Sequence, residues 1–149
     1  MTNRDVRNAL KQYGQVGTQT GVEAASPHRL VQMLMEGALD KIAIARGHME
    51  RGDVAQKGEQ ISLAISIIEG LRMSLDKDKG GEIAANLEAL YEYMNERLLQ
   101  ANLKNDLQLL DEVAGLMSQI KAGWDEIGLE LNAAAKQAAT SAGVAQARP

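Results

Sequence analysis

From residue 27 to about residue 127, apolar side chains recur every three or four positions, the spacing that aligns them on one face of an α-helix. The first stripe is Leu30, Val31, Leu34, Ala38, Ile42, Ala45 and Met49. It opens at Ser26-Pro27: serine is a preferred N-cap, and the missing proline N–H costs nothing at the first helical position. It closes at Arg51-Gly52-Asp53, a cationic end, a C′ glycine and a capping Asp for the second helix. The pattern predicts a first helix from Pro27 to about Glu50, a second from about Val54 to Leu75 and a third from about Glu82 to Leu103. A fourth runs to about Ile127, capped by Asn105 or Asp106. Asp76-Lys77-Asp78-Lys79-Gly80-Gly81 reads as the loop before the third helix. All connections are short, so successive helices are expected to be antiparallel. The fold class is all-α: an up-down four-helix bundle over residues 26–127, with no strand.

The ends differ from the middle. Residues 1–25 hold three glycines and no sustained period, and read as a mobile arm. Val6, Leu10 and Tyr13 are its exception, spaced to share one helical face. Such an arm suits a lid over an apolar groove, with Leu10 and Tyr13 as its contacts. Residues 128–149 are Ala-rich with few large apolar groups, and read as a tail, partly helical or disordered.

The second helix carries more apolar width than a one-sided stripe needs. Ile61, Ile65, Ile68 and Leu75 fall within roughly 80° at 100° per residue; Ala64, Leu71, Leu63 and Ile67 widen the face to roughly 200°. The third helix has a stripe of Ile83, Leu87, Leu90, Tyr91, Met94 and Leu98, with Tyr93 and Leu99 outside it on opposite flanks. The fourth has Leu110, Val113, Met117, Ile120 and Trp124, broadened by Leu109 and Leu116. A bundle helix touches two neighbours, which accounts for some of this width. The remainder is expected to line a groove for a partner's amphipathic helix. The residues nominated for it are Leu63, Ile67, Leu71, Tyr93, Met94, Met117 and Trp124, with Asn86 and Asn102 as backbone hydrogen-bonding groups.

Composition narrows the chemistry. With no cysteine there are no disulfides, thiolate metal sites or cysteine nucleophiles, and a reducing compartment fits. A net charge of −4 argues against nucleic acid as a partner, and no run is long enough to insert in a membrane. The expected address is cytoplasmic. Neither His28 nor His48 follows a Glu at the spacing of a di-iron bundle, and no phosphate loop or catalytic constellation is present, so neither enzyme, metal nor cofactor is expected. His28 reads as a solvated, helix-terminal residue. Two rival readings stay open: a histidine phosphotransfer module using His48 between Arg46 and Arg51, and a structural bundle that pairs with itself.

Several segments in order resemble the FliS family of flagellin-specific export chaperones. They are Ala24-Ala25-Ser26-Pro27-His28-Arg29-Leu30 with Met33 to Ala38, then Gly80-Gly81-Glu82-Ile83-Ala84-Ala85-Asn86-Leu87 with Leu90 to Met94, then Leu99 to Leu103 with Asp106 and Leu110 to Val113. Trp124 and Tyr13 stand where the family carries such residues; Met35 departs from it, since relatives often have an aromatic there. The resemblance covers roughly residues 10–127. It implies a helical bundle that engages the C-terminal, helix-forming segment of flagellin, blocks premature polymerisation and keeps the subunit export-competent. It also implies docking at the flagellar export gate, contact with other flagellar regulators in some lineages, and an N-terminal arm covering part of the binding surface when flagellin is absent.

Overall fold

A computed structural model describes the backbone of residues 25–147, with side chains through Glu130 and at Ala133, Ala134, Lys136 and Gln137. Within it lie four helices: α1 (Pro27–Arg51), α2 (Val54–Met73), α3 (Lys77–Lys104) and α4 (Leu107–Ala147). They close into a ring in which α1 packs on α2 and α4, and α3 packs on α2 and α4. The α1–α2 seam is the tightest and the α3–α4 seam the loosest. This is the expected antiparallel bundle, and no strand occurs among the described residues.

The helix ends follow local chemistry. The Ser26 hydroxyl accepts from the Arg29 N–H at 3.1 Å, and Gly52 ends α1 at φ 75°, a left-handed value that a side chain would strain. Asp106 caps α4, its Oδ1 accepting from the N–H groups of Gln108 (2.9 Å) and Leu109 (3.4 Å). Asn105 instead ends α3 in the left-handed region, at φ 51°. Asp53 departs from expectation: its carboxylate makes no cap bond to α2 but faces His48 Nδ1 at 3.2 Å and accepts from Arg51 Nε at 3.4 Å. The end of α1 has captured it.

Two boundaries move. The expected loop at residues 76–81 is itself a helical turn: Asp76 Oδ1 accepts from the Lys79 N–H, and the break falls at Gly81, with φ 51° and ψ −124°. Only glycine adopts that pair without strain, so the kink is written into the sequence at that position. The fourth helix, expected to stop near Ile127, continues through the Ala-rich tail to Ala147, because alanine has the highest helix propensity and the tail contains no internal proline. At 41 residues α4 is about 61 Å long, far beyond the reach of its neighbours.

The core is one cluster drawn from all four helices, including Leu30, Leu34, Ile42, Ile61, Ile68, Leu98, Leu110 and Val113. Burial pushes the Tyr91 hydroxyl up to about 12. Lys57 is also buried; its ammonium donates to the Asn102 carbonyl at 2.9 Å and to Asn105 Oδ1, tying the start of α2 to the end of α3.

Candidate partner-binding surface

The wide apolar face of α2 is consumed by its two neighbours. Lys57 and Arg72 mark the flank that reaches α3, the latter pairing with Glu88 at 3.2 Å. Ile67 sits about 80° round the helix from Lys57 and about 140° from Arg72, away from the centre of that flank, and α1 is the other helix packed on α2. Ile67 is 2% exposed and Leu71 1%. Met94 and Met117 are fully buried in the same core. These four residues therefore leave the groove assignment: each is covered by a helix of its own chain. Leu63 is half-buried and stays accessible.

The third and fourth helices behave differently at one end. Ile83 and Ala101 are eighteen residues, about five turns, apart on α3, so they point in the same direction. Ala101 is 0% exposed, whereas Ile83, expected in the buried stripe, is 72% exposed. The same holds on α4: Ile127 lies five turns beyond the half-buried Leu109 and is 45% exposed. Both open residues lie at the end of the bundle where α1 begins. From the Tyr93–Arg97–Glu112 bridge, Ile83 is roughly 15–21 Å back along α3 and Ile127 about 22 Å onward along α4, so the two stand at similar heights. Partly buried Leu87, Leu90, Leu116 and Ile120 continue the surface into the core. A second open strip, Leu99 and Leu103, lies one turn apart on the outer side of α3.

Polar contacts hold the α3–α4 seam. The Tyr93 hydroxyl donates to Glu112 Oε2 at 2.6 Å, Arg97 Nε donates to Oε1 at 3.0 Å, and the guanidinium lies 5.5 Å from the centre of the Tyr93 ring. The hydrogen bond to Glu112 raises the Tyr93 hydroxyl, and the same bond, followed by that from Arg97, lowers the Glu112 carboxyl. Tyr93 is 39% exposed, so its ring edge remains available.

The remaining nominated residues divide. Asn86 is exposed. Asn102 is half-buried against Gly58, and its carbonyl is engaged by Lys57. Trp124 is half-buried and turned to its own chain, stacked on His28 and donating from Nε1 to the His28 carbonyl at 3.0 Å. Leu10 and Tyr13 lie outside the described residues. His48, the residue of the phosphotransfer reading, has its Nδ1 facing Asp53 Oδ2 and Arg51 Nη2, each at 3.2 Å, at the end of α1. Among the described residues no cluster has the donors for a metal ion, and no helix is long and apolar enough to cross a membrane.

Sequence periodicity missed Ile83 and Ile127 as open residues because it gives direction round a helix but not whether a neighbour is present at that height. The Gly81 break, only two residues before Ile83, was the one local signal of it.

Known proteins resemble this chain over most of its length. The family model described as flagellar protein FliS matches residues 9–131. The flagellar secretion chaperone FliSB of Pseudomonas aeruginosa is 54% identical over 119 residues, covering 80% of this chain and 94% of its own length. The flagellar secretion chaperone FliS of Salmonella typhimurium is 51% identical over 121 residues, covering 80% and 90%. That of Bacillus subtilis is 36% identical over 108 residues, covering 72% and 80%.

Proposed function

This chain belongs to the FliS family, and we propose that it is a flagellar export chaperone that binds the C-terminal, helix-forming segment of flagellin in the cytoplasm. Occupying that segment prevents premature polymerisation and keeps the subunit export-competent until the complex docks at the export gate. No bond is made or broken; the work is done by binding alone.

The observation that carries the reading is Ile83, a core-directed isoleucine left 72% exposed at the loosest seam of the bundle. Together with Ile127, Tyr93, Leu87 and Leu90 it offers an apolar surface to a helix that folds as it binds. Burial at about 25 cal/mol per Å² drives that folding, and the ordering of the partner's backbone opposes it. Leu63, Leu99 and Leu103 give the partner further apolar footing where it extends round the bundle.

The test compares full-length flagellin with flagellin lacking its C-terminal segment, each mixed with this chain and run through size exclusion. The full-length subunit is expected to co-elute and the truncated one to elute apart. Co-elution of both, or of neither, overturns the proposal, and a chain that pairs with itself whether or not flagellin is present favours the structural oligomer.

A further inference from the structure

The contact between the first turn of α1 and the far half of α4 is built differently from the rest of the bundle. His28 and Trp124 stack face to face, with ring centroids 4.5 Å apart and planes within 5° of parallel. The indole also donates to the His28 carbonyl at 3.0 Å, so Trp124 grips both ring and backbone. The imidazole is pressed against Gly128 so closely that a Cβ there would fall 2.3 Å from His28 Nε2. Both ring nitrogens are buried and without a hydrogen-bond partner among the described residues.

We infer that His28 and Trp124 form a proton-operated clasp, closed when the imidazole is neutral and released when it is protonated, which pins α4 to the start of α1.

Three features oppose an imidazolium in this place. Protonation makes both ring nitrogens charged donors, and among the described residues neither meets a hydrogen-bonding partner. His28 is the second residue of α1, where the helix dipole presents its positive end. The surrounding charges are already committed. On α4, Asp125 is held by Lys121 Nζ at 2.8 Å and by Gln32 Nε2 at 2.6 Å, and on α1, Arg29 is turned to Glu36 at 3.1 Å. Attraction of a cation to the indole face runs the other way, and is weaker than two buried donors without acceptors. Burial accordingly lowers the His28 pKa below its ordinary 6.5, outweighing the pull of Asp125. The closed form is therefore fully favoured above pH 6.5 and loses that advantage as pH falls toward the lowered value. Release frees Trp124 beside the open Ile127 and Leu129, so the clasp controls how much apolar surface this end presents.

Trp124 is the one tryptophan of the chain, so its emission reports the clasp directly. Titrating the full chain from pH 7.5 to 5 is expected to shift the emission to longer wavelength with a midpoint below 6.5, while far-ultraviolet circular dichroism stays helical. His28→Phe, which keeps a flat ring without a titrating group, should remove the shift; His48→Gln should keep it. Gly128→Ala, which crowds the imidazole, should show the long-wavelength spectrum already at pH 7.5. Constant wild-type emission across the range overturns the inference. So does a shift that persists in His28→Phe or disappears in His48→Gln. Should His28→Phe fail to fold, His28→Gln replaces it under the same criterion.

Discussion

Ile67 on α2 and Ile83 on α3 are the same side chain, each aimed inward, with opposite fates: 2% exposed in one case, 72% in the other. The difference lies in what stands opposite. Along α2, close packing on α1 and a second flank on α3 cover Ile61, Ala64, Ile67, Ile68 and Leu71. At the start of α3, Gly81 turns the chain and the α3–α4 seam opens, so Ile83 on the α4 side finds no cover, while Ala84 on the α2 side stays 4% exposed. One half of the bundle therefore spends its apolar surface on folding and the other leaves some of it exposed. Residue type does not separate the two roles; local helix spacing does.

This contrast breaks most visibly at its folded side. Ile67→Asp places a carboxylate among fully buried apolar groups and should cost about 4 kcal/mol or more, read as loss of helical circular dichroism or a large drop in denaturant midpoint. Met117→Ala, in the same core, should cost about 2–5 kcal/mol in urea unfolding through the cavity it leaves. Lys57→Met, which strands the Asn102 carbonyl and the Asn105 amide, should cost about 1–3 kcal/mol by the same assay. Glu112→Gln should have the smallest effect. It removes the charge that Tyr93 and Arg97 share across the loose seam, and the fold should be retained. The same bridge has a pH signature. The Glu112 carboxyl is lowered from 4.5, so its contribution is present above that pH and is lost as pH falls through the lowered value. The acid limb of the wild-type stability profile should accordingly flatten in Glu112→Gln.

Much of the fold was legible because helix ends and stripes are local. Ser26-Pro27, Gly52 and Asp106 each punctuate the chain by their own chemistry, and the three-to-four spacing of Leu30, Leu34 and Ala38 needs no tertiary information. The site was less legible because it depends on distance between helices. Ile67, Leu71, Met94 and Met117 read as surplus when each helix is considered alone, yet a second neighbour uses them. Ile83 reads as core for the converse reason. The tail's helix was hidden by its lack of burial, although alanine propensity sustains it. His28 looked like a solvated helix start because nothing in the local pattern shows that Trp124, ninety-six residues away, lies over it.

The open end of the α3–α4 seam, and not the closed α2 face, is the surface that should receive the partner. Calorimetric titration of a flagellin C-terminal segment into wild-type chain and into the Ile83→Asp/Ile127→Asp double variant tests this most directly, with circular dichroism taken on both. The variant is expected to be as helical and nearly as stable as wild type, within about 0.5 kcal/mol per exposed site, with affinity reduced by about tenfold to a hundredfold. A folded variant that binds the segment as tightly as wild type contradicts this assignment.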